Sequence, residues 1–197
     1  MTNSPKILAF AGSAREDSFN KKLVKIATEG AKAAGAEVTD LDLRDLPMPL
    51  YDQDLEAKEG LPGNVLKFKA LMKSHQGLLI ACPEYNSSIT PLLKNAIDWA
   101  SRPEPGEHPL ALSCFRDKVA VIMSASPGGL GGLRGLVHVR SILENIGVIV
   151  LPDQKAISNA YQTFDERGNL KEEKQQAGIE QLGSKLAKFL VKLAPET

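Results

Sequence analysis

The sequence predicts an α/β domain, a parallel sheet covered by helices on both faces, on three observations. Short apolar runs alternate with stretches of helical periodicity from one end of the chain to the other. Most of these runs are continuously apolar, as strands buried on both faces are. The chain has 197 residues, 43% apolar and 24% charged, which suits one domain with a full core and is too hydrophobic for disorder.

Lys6–Ala11 reads as the first strand. Phe19, Leu23, Ile26, Ala27 and Ala34 then recur at helical spacing up to Gly35. Ala36–Leu43 alternates apolar and polar, as an edge strand does, and a Pro- and Asp-rich loop follows over Leu46–Asp54. Val65, Phe68, Leu71, Met72 and His75 mark a second helix, and Gly77–Cys82 a fully buried third strand. Thr90 can cap a third helix with Pro91 at its first position, burying Leu92, Leu93, Ala96, Ile97 and Ala100. Lys118–Met123 is the fourth strand, Leu133–Ile146 the fourth helix and Val148–Leu151 the fifth strand. Leu170–Leu193 is the last helix. Five βα units in one domain over residues 1–197 fit a five-stranded parallel sheet in the order 2-1-3-4-5, a flavodoxin-like three-layer sandwich.

Charge and composition remove several functions. The 24 basic and 24 acidic residues cancel, which argues against nucleic acid or an anionic membrane as partner and against the acidic face of a small electron shuttle. Aromatics are 5% of the chain, too few for a base-stacking platform. Cys82 and Cys114 form neither a disulfide framework nor a zinc cluster, and both read as packing residues. With no signal-type or membrane-length apolar stretch, the expected location is cytoplasmic.

Three loops are too rich in small and polar residues to be mere connectors, and each directly follows an apolar strand. They are Gly12–Asn20, Pro83–Ser88 and Ser124–Gly129. In the 2-1-3-4-5 order their strands are neighbours, so the loops converge on one crevice, where open parallel sheets bind ligands. The first has the chemistry of a phosphate cradle. Gly12 permits a tight turn, Ser13, Ser18 and Asn20 offer donors, and Arg15 can fork two bonds onto phosphate at a helix N-terminus. An ordinary helix cap would need Ser18 alone. The loop is not a Walker A motif, and neither it nor Gly128–Gly135 has GxGxxG spacing. The second loop can set Tyr85 and the amides of Glu84–Asn86 beside a planar ligand, or be a plain turn. The third, lacking bulky side chains, lets a ligand lie against the backbone, or is a plain glycine turn.

Gly-Ser-x-Arg-x-x-Ser-x-Asn, Pro-Glu-Tyr-Asn-x-Ser and Ser-Pro-Gly-Gly-x-Gly-Gly-x-Arg together resemble the NADPH-dependent FMN reductases, a flavodoxin-like family that includes quinone, chromate and azo-dye reductases. The likeness runs from Lys6 to about Pro152, with a less diagnostic tail over Thr163–Leu170. It implies that Ser13, Arg15, Ser18 and Asn20 hold the FMN phosphate and that Phe19 supplies backbone. Pro83, Glu84, Tyr85 and Asn86 would border the isoalloxazine, and Ser126, Gly128 and Gly129 its other edge.

It implies further that NADPH or NADH is the co-substrate and that a small-molecule acceptor, such as a quinone, takes the electrons. No side chain need act as nucleophile or obligate base, and no metal is implied. A flavodoxin-type carrier without NAD(P)H activity and a non-catalytic flavin-binding protein are the rival readings. On the fourth helix, Arg134 with His138 and Arg140 with Glu144 are spaced for i,i+4 pairs, which suits a solvated face or a subunit contact. The family's usual state implies a homodimer or homotetramer.

Overall fold

The computed structural model describes residues 4–194. Strands β1 (Lys6–Ala11), β2 (Glu37–Leu41), β3 (Gly77–Ala81), β6 (Val119–Ala125) and β7 (Ile149–Ile157) form one sheet in the order β2-β1-β3-β6-β7. Every pairing in it is parallel. This is the 2-1-3-4-5 order of the flavodoxin-like fold, since β4 (Glu84–Tyr85) and β5 (Ser88–Ile89) form a separate antiparallel hairpin.

The sheet's pleat sorts its side chains onto two cores. Ile7, Ala9, Ala11, Leu79 and Val121 face α1 (Phe19–Ala33) and α7 (Glu173–Leu193). Leu8, Phe10, Leu78, Ile80 and Ile122 face α3 (Gly63–Ser74), α4 (Pro91–Ala100) and α5 (Leu133–Asn145). A fully buried Leu, Ile or Val stabilises by roughly 1.5–3 kcal/mol, against tenths of a kcal/mol per residue for helix propensity. Burial on the two faces therefore decides where the helices lie.

Element ends differ from the sequence expectation for local reasons. The second strand stops at Leu41, because the Asp42 side chain accepts from Arg44 N (3.0 Å) and starts a 3-10 turn over Leu43–Asp45. The Pro- and Asp-rich loop contains a short helix, α2 (Gln53–Glu59), whose first turn is capped by the Asp52 side chain. The fourth strand continues to Ala125. The fifth does not end at Leu151 but runs to Ile157 past an irregularity between the pairings Ala120↔Val150 and Ile122↔Gln154. Pro152 has no N–H for a ladder, and a bulge on an edge strand accommodates it. Arg140 donates to Val150 O (3.1 Å), Leu151 O (2.9 Å) and Gln154 Oε1 (3.1 Å) around that bulge. After α6 (Ala160–Thr163), Phe164 and Leu170 form an antiparallel bridge, so the last helix begins at Glu173 and not at Leu170. No helix among the described residues is long and apolar enough to cross a membrane.

Candidate functional site

The strand order puts the carboxyl ends of β1, β3 and β6 side by side, and the three loops that leave them are bonded to one another. Thr90 Oγ1 caps α4 by accepting from Leu93 N (3.2 Å) and donates to Gly12 O (2.7 Å), joining the first loop to the second. A Cβ on Gly12 would sit 2.8 Å from Leu93 Cβ, so this loop passes α4 too closely for any side chain. The Asn20 amide donates to Ala125 O (2.8 Å) and its oxygen accepts from Ala125 N (3.0 Å), joining the first loop to the third. Ser126 N donates to Ile157 O (3.0 Å), and Ala160 N to Ser126 O (3.1 Å).

Within the first loop, Ser13 and Ser18 are buried and Arg15 is exposed. Ser18 is the N-cap of α1 yet makes no capping bond, which leaves the helix's first N–H groups free to meet an anion. Ser13 Oγ accepts from Arg15 N (3.3 Å), and Arg15 forms no ion pair among the described residues. Asn20 differs from its neighbours: its amide bonds both ways to Ala125 and pins α1 to β6, with one Nδ2 hydrogen left to donate. Phe19 stacks on Phe164 (5.3 Å between centroids) and meets Tyr161 edge-on (5.1 Å), with its ring turned away into packing.

The second loop is the β4–β5 hairpin, closed by Asn86 (φ 50°) and Ser87 (φ 65°). Two consecutive left-handed residues make the turn that a two-residue hairpin requires, comfortably for Asn and under strain for Ser. Tyr85 is 50% exposed at its edge, while Pro83 is buried. The Glu84 side chain points toward α5, where Oε1 accepts from Arg134 Nε (2.9 Å) and Nη2 (2.6 Å) and Oε2 from Gly135 N (3.1 Å). Burial would raise this carboxyl, but Arg134 and the Gly135 N–H outweigh it and hold Glu84 below the usual carboxylate range.

The third loop holds two kinds of glycine. A Cβ on Gly129 would meet nothing within 4 Å and one on Gly128 only Ser126 Oγ at 3.7 Å, so both leave bare backbone facing open space. Gly132, at φ 90°, is the N-cap of α5, and a Cβ there would clash with Ser124 Oγ. That Ser124 hydroxyl is fully buried and has no partner among the described residues.

Arg134 was spaced for a bond to His138, but it pairs with Glu84, and His138 Nδ1 lies 2.9 Å from Ser88 Oγ. Only the Arg140–Glu144 pair forms as the spacing suggests, at 3.4 Å. Arg134 ends the glycine-rich motif in the sequence, yet nothing local signals a partner 50 residues away. Cys82 lies at the base of the second loop with its thiol pushed up to about 12 by burial, so it stays protonated. A cavity of about 900 Å³ runs along α1 and β2 and reaches Ser18 of the first loop. Its charged lining holds seven carboxylates, Asp40, Asp42 and Asp45 among them, against Lys21, Lys22, Lys25 and Arg167.

Comparison with known proteins gives a consistent result. The family model described as NADPH-dependent FMN reductase matches residues 5–162. Among curated proteins, a probable NADPH:quinone oxidoreductase of Oryza sativa is 36% identical over 86% of this chain and 82% of its own. An NAD(P)H-dependent FMN reductase of Pseudomonas aeruginosa is 36% identical over 92% of each chain. Among solved structures, the flavoenzyme NAD(P)H:(acceptor) oxidoreductase of Paracoccus denitrificans superposes with a TM-score of 0.78 at 26% identity, covering 95% of this chain and 98% of that one. An archaeal flavodoxin, at 10% identity and a TM-score of 0.61, shares the fold alone.

Proposed function

The chain belongs to the NADPH-dependent FMN reductase family, and from that premise we propose that FMN lies in the crevice formed by the loops after β1, β3 and β6. The protein is an NAD(P)H-dependent oxidoreductase, and its acceptor is a small molecule of the quinone or flavin class. The observation that carries the site is the uncapped start of α1. Ser13, Ser18 and the free N–H groups there, with Arg15 beside them, form a donor set of the kind a phosphate takes.

Bound FMN would supply the redox chemistry between a nicotinamide and the acceptor. The chain's own part is placement. Ser13, Arg15 and Ser18 hold the phosphate, while Asn20 and Phe19 fix the helix that presents them. The amides around Glu84–Asn86 border the ring's polar edge, where they can stabilise charge. Tyr85 and Pro83 flank it, and Ser126, Gly128 and Gly129 let it rest on backbone.

The chain acts as a single FMN-binding domain, and the reduced, buried Cys82 and Cys114 suit a cytoplasmic enzyme. A homodimer or homotetramer is supported by Leu130, Leu133 and Val137, which leave 54%, 44% and 60% of their surfaces exposed on and just before α5, the helix that packs on the hairpin. The 2′-phosphate of NADPH would need a cation, and Lys21, Lys22, Lys94 and Arg102 are already paired with Asp42, Asp17, Asp98 and Glu56. Arg116 donates to Leu110 O (3.2 Å).

The test is an absorption spectrum of the purified protein with FMN and with riboflavin, followed by NADPH and NADH oxidation with a quinone. Binding of FMN well above riboflavin, with steady turnover, is expected. Equal affinity for the two flavins would refute the phosphate assignment, and flavin binding without turnover would leave an electron carrier.

A further inference from the structure

We propose that Glu84 and Arg134 form a positioning clamp that makes the β4–β5 hairpin and the start of α5 one rigid body, and so sets the hairpin's amides for the flavin ring. This inference rests on the reading of the crevice given above.

The N-cap of α5 is Gly132, which has no side chain with which to cap the helix's first N–H groups. The cap comes from across the chain. One oxygen of Glu84 accepts from Gly135 N (3.1 Å), and the other takes two bonds from the Arg134 guanidinium (2.9 and 2.6 Å). A carboxylate at a helix N-terminus is also favoured by the helix dipole. One turn further on, His138 Nδ1 lies 2.9 Å from Ser88 Oγ, so both hairpin strands are bonded to the same face of α5. Between these contacts a Cβ on Gly135 would stand 3.3 Å from Ser88 O and 3.4 Å from Glu84 Cβ, so helix and hairpin touch along the whole turn.

Two facts separate positioning from mere stability. The Glu84 side chain is 9% exposed but that of Arg134 is 57% exposed, and ion pairs open to water on one side add little to folding. The hairpin has only two residues per strand and a strained Ser87, and a ribbon this short does not hold its shape alone. Its geometry therefore depends on α5. Because α5 grows out of the glycine loop, the clamp couples the second and third loops of the crevice. The donors at the ring's polar edge are then fixed before any flavin arrives.

The test compares the parent with Arg134→Met, Glu84→Gln and Arg134→Lys. Hydrogen exchange on flavin-free protein should show the Tyr85–Ser88 amides exchanging about tenfold faster in Arg134→Met, with β3 unchanged and Arg134→Lys intermediate. Flavin titration should show FMN and riboflavin weakened by the same factor, about tenfold, because the clamp acts on the ring and not on the phosphate. The midpoint potential of bound FMN should move to more negative values, as less organised amides stabilise the reduced ring less. Unchanged hairpin exchange in Arg134→Met would overturn the clamp. Faster exchange with undiminished flavin affinity and an unmoved potential would overturn its positioning role. A parent that binds neither flavin would refute the crevice reading itself, and the exchange measurement on the same samples would still decide the clamp.

Discussion

The two ends of the sheet treat their polar groups in opposite ways. Toward the amino end, buried charges are answered within the chain. Lys69, 1% exposed, donates to Ala100 O (3.1 Å) and Arg102 O (2.6 Å) at the end of α4. Lys118 donates to His75 O (2.5 Å), while the His75 ring lies 2.7 Å from both Leu71 O and Thr39 Oγ1. Lys73 sits between Glu104 (2.7 Å) and Glu107 (2.8 Å). At the carboxyl end, Ser18 leaves its helix uncapped and Arg15 faces water. Charges answered within the chain at one end, against a helix start and a guanidinium left open at the other, mark one end as scaffold and the other as binding surface.

Removing the Lys69 ammonium attacks the scaffold end most sharply. Lys69→Ala should cost about 3 kcal/mol of unfolding free energy, since two helix-end carbonyls lose their donor and a cavity opens, with FMN affinity in the remaining folded protein within twofold. Urea unfolding and flavin titration on the same samples check this. Comparable losses of stability and of FMN affinity would break the contrast between the ends.

Arg15→Ala is the mirror experiment. FMN affinity should fall about tenfold or more through loss of charge-assisted bonds, riboflavin affinity should hardly change, and unfolding free energy should stay within about 0.5 kcal/mol.

The pH dependence should belong to the scaffold end. The N–H of Glu104 and the Lys73 ammonium hold Glu107 down at about 2, from an ordinary 4.5. Its folded value is depressed, so the unfolded chain binds the extra proton. The stability it contributes is present above about pH 4.5 and is lost as pH falls toward 2. Glu107→Gln should flatten the stability profile over that window in chemical unfolding, without altering FMN affinity at pH 7.

The smallest effect expected is a gain. Ser87→Gly relieves a left-handed serine and should raise stability by up to about 1 kcal/mol, a Tm rise of about 2–4 °C. Ser87 lies in the hairpin of the crevice, so a small loss of flavin affinity beside that gain would place its strain in the binding surface.

The buried strands were legible in the sequence because both faces are covered, leaving apolar runs such as Gly77–Cys82 that no other element explains. The three loops were legible for a related reason: their small and polar residues interrupt an apolar core at strand ends. What could not be read was interaction at a distance. Glu84 looked like part of a ring-facing motif, and its side chain instead caps a helix 51 residues later. Asn20 reads as a phosphate donor, and nothing local shows that its amide also bonds both ways to Ala125, 105 residues away. Nothing in the sequence signals the hairpin, because two residues per strand carry no periodicity. The far half of β7 is hidden because Pro152 reads as a stop, and only a filled bulge lets the strand resume.

That bulge governs how copies of this protein can meet. Exposed sheet edges invite strand-by-strand growth into fibres, and both edges here discourage it. On one side β2 is five residues long and carries Glu37 and Asp40. On the other, β7 is broken at Pro152, with two of its carbonyls already taken by Arg140. Neither border offers an unbroken ladder to an incoming strand. Association is thereby steered onto helix faces, where an assembly can close on itself and stop growing.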